Sequence, residues 1–253
     1  MRNYKNLSIL GVNFSAVSRS ELLETISKER LCSYALTVLF SNVSCIVEAY
    51  NNTERLKIIN ASDINAVDGM PISWIAHLVK LTDSERCAGP DIMEDILRSD
   101  KEGELRHFFF GSTDETLIQL KLNINKKYPK AKIVGMYSPP FCAISVEEDN
   151  KICNEIQQSK PDYVWVGLGA KKQDDWIINH KDRFSNCALM GVGAAFDFHA
   201  NIKSRAPLFF RDHGLEWLFR LAQEPQRLWS RYLVGNFKFI YYIIINIRTI
   251  RRI

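Results

Sequence analysis

The feature that most constrains this chain is a repeated alternation between short apolar runs and longer amphipathic ones. Residues 35–41 (A-L-T-V-L-F-S), 63–68, 107–111 (H-F-F-F-G), 132–137, 162–168 (D-Y-V-W-V-G-L) and 188–192 have the length and apolar content of buried strands. The segments between them read as helices: 42–59 capped by Asn42, 71–80 with Pro71 in an early turn, Gly89-Pro90-Asp91 to about Arg98, 113–127, 145–158 and 173–184. Strands alternating with helices predict an α/β fold, a Rossmann-like and mostly parallel sheet flanked by helices. With 46% hydrophobic and 25% charged residues, the chain can build a packed core and lacks the charge bias of a disordered one.

In such sheets ligands bind beyond the carboxyl ends of the strands. Asp68-Gly69, Gly111-Ser112, Gly167-Leu168-Gly169 and Gly191-Val192-Gly193 all fall at predicted strand ends. Read alone, Asp68-Gly69 is a turn. The G-L-G and G-V-G spots complete neither G-x-G-x-x-G nor a phosphate-binding P-loop. Taken together they favour a nucleotide or other phosphate ligand near helix N-termini. No D-x-D occurs, and the five histidines show no metal-ligand spacing, so no metal site and no cofactor are expected. Any diphosphate handled here would then be held by arginine, lysine and backbone N–H groups. The cysteines, Cys32, Cys45, Cys87, Cys142, Cys153 and Cys187, form no C-x-x-C pair and fit a reducing cytosol. Residues 1–20 lack a long apolar stretch, so no secretory signal is expected.

Charge is distributed unevenly. Residues 205–253 hold nine Lys/Arg against three Asp/Glu, whereas the remainder is net acidic. A local basic excess points to an anionic partner: phospholipid, diphosphate or nucleic acid. Gly214–Glu224 reads as an amphipathic helix and Pro225 as the start of another, with Arg227 and Arg231 on one face. The apolar, aromatic run 237–247 is too short to span a bilayer and ends near Arg248, Arg251 and Arg252, which suits a helix lying in a membrane interface. The bland reading is a helix docked on the core or on another subunit.

Several segments resemble a known family. They are D-G-M-P at 68–71, R-C-A-G-P-D at 86–91, F-F-F-G-S at 108–112 and V-G-L-G-A-K-K-Q-D-D-W at 166–176. Two more are G-V-G-A-A-F-D-F at 191–198 and the long run from K-S-R-A-P at 203 through G-L-E-W-L-F-R-L-A-Q-E-P to Tyr232. In this order they resemble the WecG/TagA/CpsF glycosyltransferases (glycosyltransferase family 26), over about residues 35–235. The resemblance implies an inverting, metal-independent enzyme. It would move N-acetylmannosamine, its uronic acid or a related hexose from a UDP-sugar to a polyprenyl-diphosphate-linked saccharide in cell-surface polysaccharide synthesis. It implies Asp68 as general base, Gln173 as a substrate residue, Arg220, Arg227 and Arg231 closing over the diphosphate, and a membrane-targeting tail. The chain departs from the family where T-x-N becomes Phe40-Ser41-Asn42, where a glycine after F-D-F becomes His199-Ala200-Asn201, and where Ala170 precedes the lysines. These changes suggest a divergent sugar specificity.

The expected organisation is a catalytic α/β domain over 1–200 and a helical appendage over 201–253 that meets membrane and lipid diphosphate. Asp68 is the catalytic candidate; its bland reading is a turn carboxylate or helix cap. Substrate candidates are Asn42, Arg86, Asp91, Gly111, Gly169, Gln173, Asp197, Arg205, Arg220, Arg227 and Arg231. Each has a structural alternative: a loop charge for Arg86, a helix-start carboxylate for Asp91, capping for Gln173, a buried hydrogen-bonded carboxylate for Asp197, a solvated face for the last three. Expected partners are a UDP-sugar, the lipid-linked acceptor and an anionic membrane surface, with no nucleic acid, at the cytoplasmic face of the cell membrane. Two other classes compete: a nucleotide-dependent oxidoreductase, disfavoured by the missing G-x-G-x-x-G, and a non-catalytic membrane or nucleic-acid binding module built on the basic tail.

Overall fold

The computed structural model describes residues 6–140 and 145–252, so Cys142 lies outside the described residues. In chain order, β1 (Asn6–Ile9) and β2 (Val12–Ser15) form a hairpin, and α1 (Arg19–Glu29) leads to β3 (Ala35–Ser41). Then come α2 (Val43–Asn51), α3 (Thr53–Asn60), β4 (Ile64–Val67), α4 (Met70–Leu78) and α5 (Gly89–Ser99). Strands and helices alternate through β5 (Arg106–Gly111), α6 (Asp114–Lys127), β6 (Lys132–Tyr137), α7 (Val146–Ser159), β7 (Tyr163–Gly167), α8 (Ala170–His180), β8 (Cys187–Gly191) and α9 (Ala195–His199). The tail holds α10 (Leu208–Asp212), α11 (Glu216–Gln223), α12 (Pro225–Trp229), a π-helical turn at Ser230–Val234, α13 (Gly235–Ile245) and the edge strand β9 (Arg251–Arg252). This is the expected α/β fold with mostly parallel strand pairing.

Two compact units emerge, one of residues 22–39 and 89–204, the other of residues 1–21, 40–88 and 205–253. In the first, strands pair in the order β6-β5-β7-β8-β3, every pair parallel. Strands covered on both faces read as continuous apolar runs rather than alternating ones. In β5, Phe108, Phe109 and Phe110 are all fully buried. Phe108 and Phe110 enter a core with Val164, Val166, Trp176 and Ile177, while Phe109 meets the Phe196 ring edge-on at 5.6 Å.

In the second unit the order is β4-β2-β1-β9, with β2 parallel to β4 and β1 antiparallel to both β2 and β9. The β1–β2 turn is Leu10-Gly11, with φ of +52° and +88°. Two consecutive positive φ values are the backbone of a two-residue hairpin turn matched to strand twist. The expected single helix 42–59 is two helices. Asn52 takes an extended backbone, and its side chain accepts the Arg55 N–H at 3.0 Å, ending α2 and capping α3. The helix expected from Gly214 begins at Glu216 instead, because Gly214 is left-handed at φ +72°. Helix α8 starts at Ala170, so Gln173 lies inside its first turn rather than at its start.

Candidate active site

All four residues of β4 are buried, and Asp68 is the next residue, half-buried at the carboxyl end of the strand. Its N–H donates to the Ser41 carbonyl at 3.0 Å, where β3 ends. Gly69 then takes φ +152° before α4, with Pro71 in the first turn. A Cβ on Gly69 would meet only Pro71 Cδ at 3.9 Å, so backbone conformation rather than crowding demands glycine here. Asp68 thus directly precedes Gly69, the N-cap residue of α4.

The segment after α4 returns to the same strand end. The Cys87 N–H donates to the Val67 carbonyl at 2.8 Å, which fixes Arg86 one residue before it. Burial, reinforced by the Glu85 and Asp68 carboxylates, pushes the Cys87 thiol up to about 12, so it stays protonated and inert. The Arg86 guanidinium is paired with the Glu216 carboxylate of α11, and the two side chains are only 15% and 18% exposed. Glu216 is not among the residues expected from sequence; it lies 130 positions away, and no spacing rule links it to Arg86.

Asn42 caps α2 as anticipated. Its Oδ1 accepts from the N–H groups of Ser44 (3.1 Å) and Cys45 (3.4 Å) and from the Ser44 hydroxyl (3.0 Å). That oxygen is therefore structural, and a ligand role would fall to the amide nitrogen. Arg231 Nε donates to Ser44 Oγ at 2.9 Å, bringing one tail arginine to the first turn of α2.

The other tail arginines take different places. Arg227 is exposed and pairs with Glu224 at 2.8 Å, Arg220 is half-buried on α11, and Arg205 is half-buried ahead of α10. Gly214 packs against α4, where a Cβ would come within 2.9 Å of Met70 Cβ. Helix α13 lies on α2. Tyr242 packs against Tyr50 with the rings tilted by 36° and their centroids 4.4 Å apart, and donates to Asn51 Oδ1 at 3.2 Å, and Asn246 Nδ2 donates to the Tyr50 hydroxyl at 3.1 Å. The outer face of α13 leaves Phe237, Ile240, Tyr241, Ile244 and Ile245 exposed, a stripe at helical spacing. Among the described residues no helix is long and apolar enough to cross a membrane. Arg251 and Arg252, expected with Arg248 as a basic cluster, pair with Ser8 and Leu7 as an edge strand.

In the other unit, the strand ends of β5, β7 and β8 collect the remaining candidates. Gly111 (φ +122°) abuts Gly167 so closely that a Cβ would lie 2.6 Å from the Gly167 carbonyl. Gly169 is exposed at the start of α8, and a Cβ there would meet nothing within 4 Å, leaving open space above the helix N-terminus. Gln173 is buried and clamps the turn after β8: its Nε2 donates to the Gly191 carbonyl at 2.9 Å, and its Oε1 accepts the Gly193 N–H at 3.0 Å. Asp197 pairs with Lys203 at 2.9 Å. Asp91 is buried in the first turn of α5, beside Pro90, whose carbonyl faces His199 Nε2 at 3.1 Å.

The model of the glycosyl transferase WecG/TagA/CpsF family matches residues 7–252. Similar relatives include the N-acetylglucosaminyldiphosphoundecaprenol N-acetyl-beta-D-mannosaminyltransferases of Staphylococcus aureus strains MW2 and NCTC 8325 / PS 47. Each is 26% identical over 228 residues, spanning 89% of this chain and 88% of the relative. A match across almost the whole described fold shows that the chain belongs to the WecG/TagA/CpsF family of glycosyltransferases.

Proposed function

We propose that this enzyme transfers N-acetylmannosamine, or a closely related hexose, from its UDP-sugar to a polyprenyl-diphosphate-linked saccharide, with inversion, in the synthesis of a cell-surface polymer. The relatives named above act on an N-acetylglucosaminyl-diphosphoundecaprenol acceptor, which supports this substrate class. The observation that carries the reading is Asp68: a half-buried carboxylate at the carboxyl end of a parallel-paired strand, beside a helix N-terminus and one short segment from Arg86.

In this reading Asp68 accepts the proton of the acceptor hydroxyl as its oxygen attacks the anomeric carbon. The bond from that carbon to the UDP oxygen breaks on the opposite face, and the electron pair leaves with the diphosphate. Arg86, Arg205, Arg220, Arg227 and Arg231 stabilise the diphosphate charges of donor and acceptor, with no metal ion required for the transfer. Asn42, Asp91, Gly111, Gly169, Gln173 and Asp197 shape the sugar and uridine contacts, Gln173 by holding the Gly191–Gly193 turn. Residues 201–253 act as an appendage at the cytoplasmic face of the membrane, with the outer stripe of α13 in the lipid interface; that exposed apolar stripe supports the assignment.

The test is a mass-spectrometric screen of UDP-sugars against a short-chain polyprenyl-diphosphate N-acetylglucosamine acceptor, with and without EDTA. The proposal expects one disaccharide product, formed from a UDP-N-acetylhexosamine and undiminished by chelation. Donor hydrolysis with no acceptor adduct would overturn it.

A further inference from the structure

Outside the strand ends, one side-chain cluster has the make-up of a metal centre. Asp149 and Cys153 lie one turn apart on α7, and His180 closes α8; one ligand atom from each falls within 4.8 Å of the others. Cys153 is fully buried, and Asp149 and His180 are 23% and 17% exposed, which leaves the cluster an opening to solvent. Spacing four apart on one helix puts a carboxylate and a thiol on one face.

The hydrogen bonds around the cluster orient its donors. His180 Nδ1 lies 2.7 Å from the Trp176 carbonyl, which only accepts, so Nδ1 carries a proton and Nε2 points inward. His180 Nε2 faces Asp149 Oδ2 at 2.7 Å, while Asp149 Oδ1 accepts the Trp176 indole N–H at 3.1 Å. Trp176 thus positions both the imidazole and the carboxylate, leaving Nε2, Oδ2 and the Cys153 Sγ converging. Backbone and indole partners on the outer atoms of metal ligands are what hold such ligands in place. Arg183 lies 3.6 Å from Asp149 Oδ2, at the edge of the cluster.

We propose that Asp149, Cys153 and His180 bind one zinc-class divalent cation, with a water as fourth ligand, and that this ion joins α7 to α8. Thiolate, imidazole and carboxylate together suit zinc, cobalt or nickel rather than magnesium or calcium. Tetrahedral zinc holds its ligand atoms about 3.3–3.8 Å apart. The 2.7 Å contact opens slightly and the longer ones close on loading. The thiol proton and the proton held between Nε2 and Oδ2 pass to solvent as the dication enters, so the net charge of the cluster is unchanged beside Arg183.

The test uses Co²⁺ on the full chain, cleared of metal beforehand. One equivalent is expected to give a thiolate-to-cobalt charge-transfer band, displaced by Zn²⁺. Cys153→Ser is expected to abolish the band, and His180→Gln and Asp149→Asn to weaken Co²⁺ binding by about tenfold or more. Circular dichroism of each variant shows that it is folded. Absence of the band in the wild type, or its survival in Cys153→Ser, overturns the proposal. The same variant separates this ion from the transfer chemistry. An effect of EDTA on turnover that vanishes in Cys153→Ser belongs to this site; one that persists belongs to catalysis.

Discussion

Arg86 and Glu216 form an ion pair that ties the segment following Asp68 to the first turn of α11. With both side chains more than four-fifths covered, the pair is held away from bulk water, and its energetics are those of a desolvated pair rather than a surface one. It fastens the arginine-bearing tail to the strand end that carries Asp68, through Cys87 and Val67.

Removing one partner should therefore be costly. Glu216→Ala removes the carboxylate paired with Arg86 and is expected to destabilise the fold by about 3 kcal/mol in urea unfolding. The double variant Arg86→Met, Glu216→Leu is expected to recover most of that stability, since apolar replacement of a buried pair is often nearly neutral. It should remain catalytically impaired, because the proposed diphosphate contact is gone.

A second prediction concerns acid stability. His107 is fully buried, stacked with Tyr163 and Trp165, and its Nδ1 accepts the Trp165 indole N–H at 3.2 Å. Burial, opposed by Asp100 and helped by Arg30, holds its imidazole down at about 4. The folded state thus prefers neutral His107, and its contribution is intact above the ordinary value of 6.5. Stability should fall as pH drops from 6.5 to about 4, by roughly 3 kcal/mol in all, and show no further dependence on this group below that. His107→Gln, which keeps an acceptor but no titration, should flatten this window in denaturation measured across pH.

A third concerns the tail. Phe237 and Ile244 are 74% and 66% exposed on the outer face of α13, away from its contacts with α2. Replacing both with serine should leave the melting temperature nearly unchanged and weaken co-sedimentation with anionic liposomes at least tenfold, as expected from about 2 kcal/mol per buried apolar side chain. Equal binding by the variant would remove α13 from the membrane contact.

Much of this is legible in the sequence, for identifiable reasons. The parallel strands can be read because burial on both faces makes them continuous apolar runs; H-F-F-F-G is an example, with all three phenylalanines in the core. Asn42 is a helix cap in sequence and in structure. The β1–β2 hairpin escapes a reading of the sequence: its strands are four residues long, and its turn is Leu-Gly rather than the Asn-Gly that usually marks one. The break at Asn52 is hidden because the apolar pattern of α2 continues into α3. Glu216 and the Asp149–Cys153–His180 cluster are illegible because they depend on tertiary contacts between distant segments. The clamp of Gln173 on Gly191 and Gly193 is not legible, because it joins residues 18 and 20 positions apart.

The turnover of Asp68→Asn, set beside its affinity for UDP-sugar, decides whether this carboxylate is the general base. The substitution preserves shape and removes the proton acceptor. A fall in kcat of about 10²–10⁴-fold is expected, with UDP-sugar binding by calorimetry unchanged. A kcat within a few-fold of wild type would contradict Asp68 as the general base.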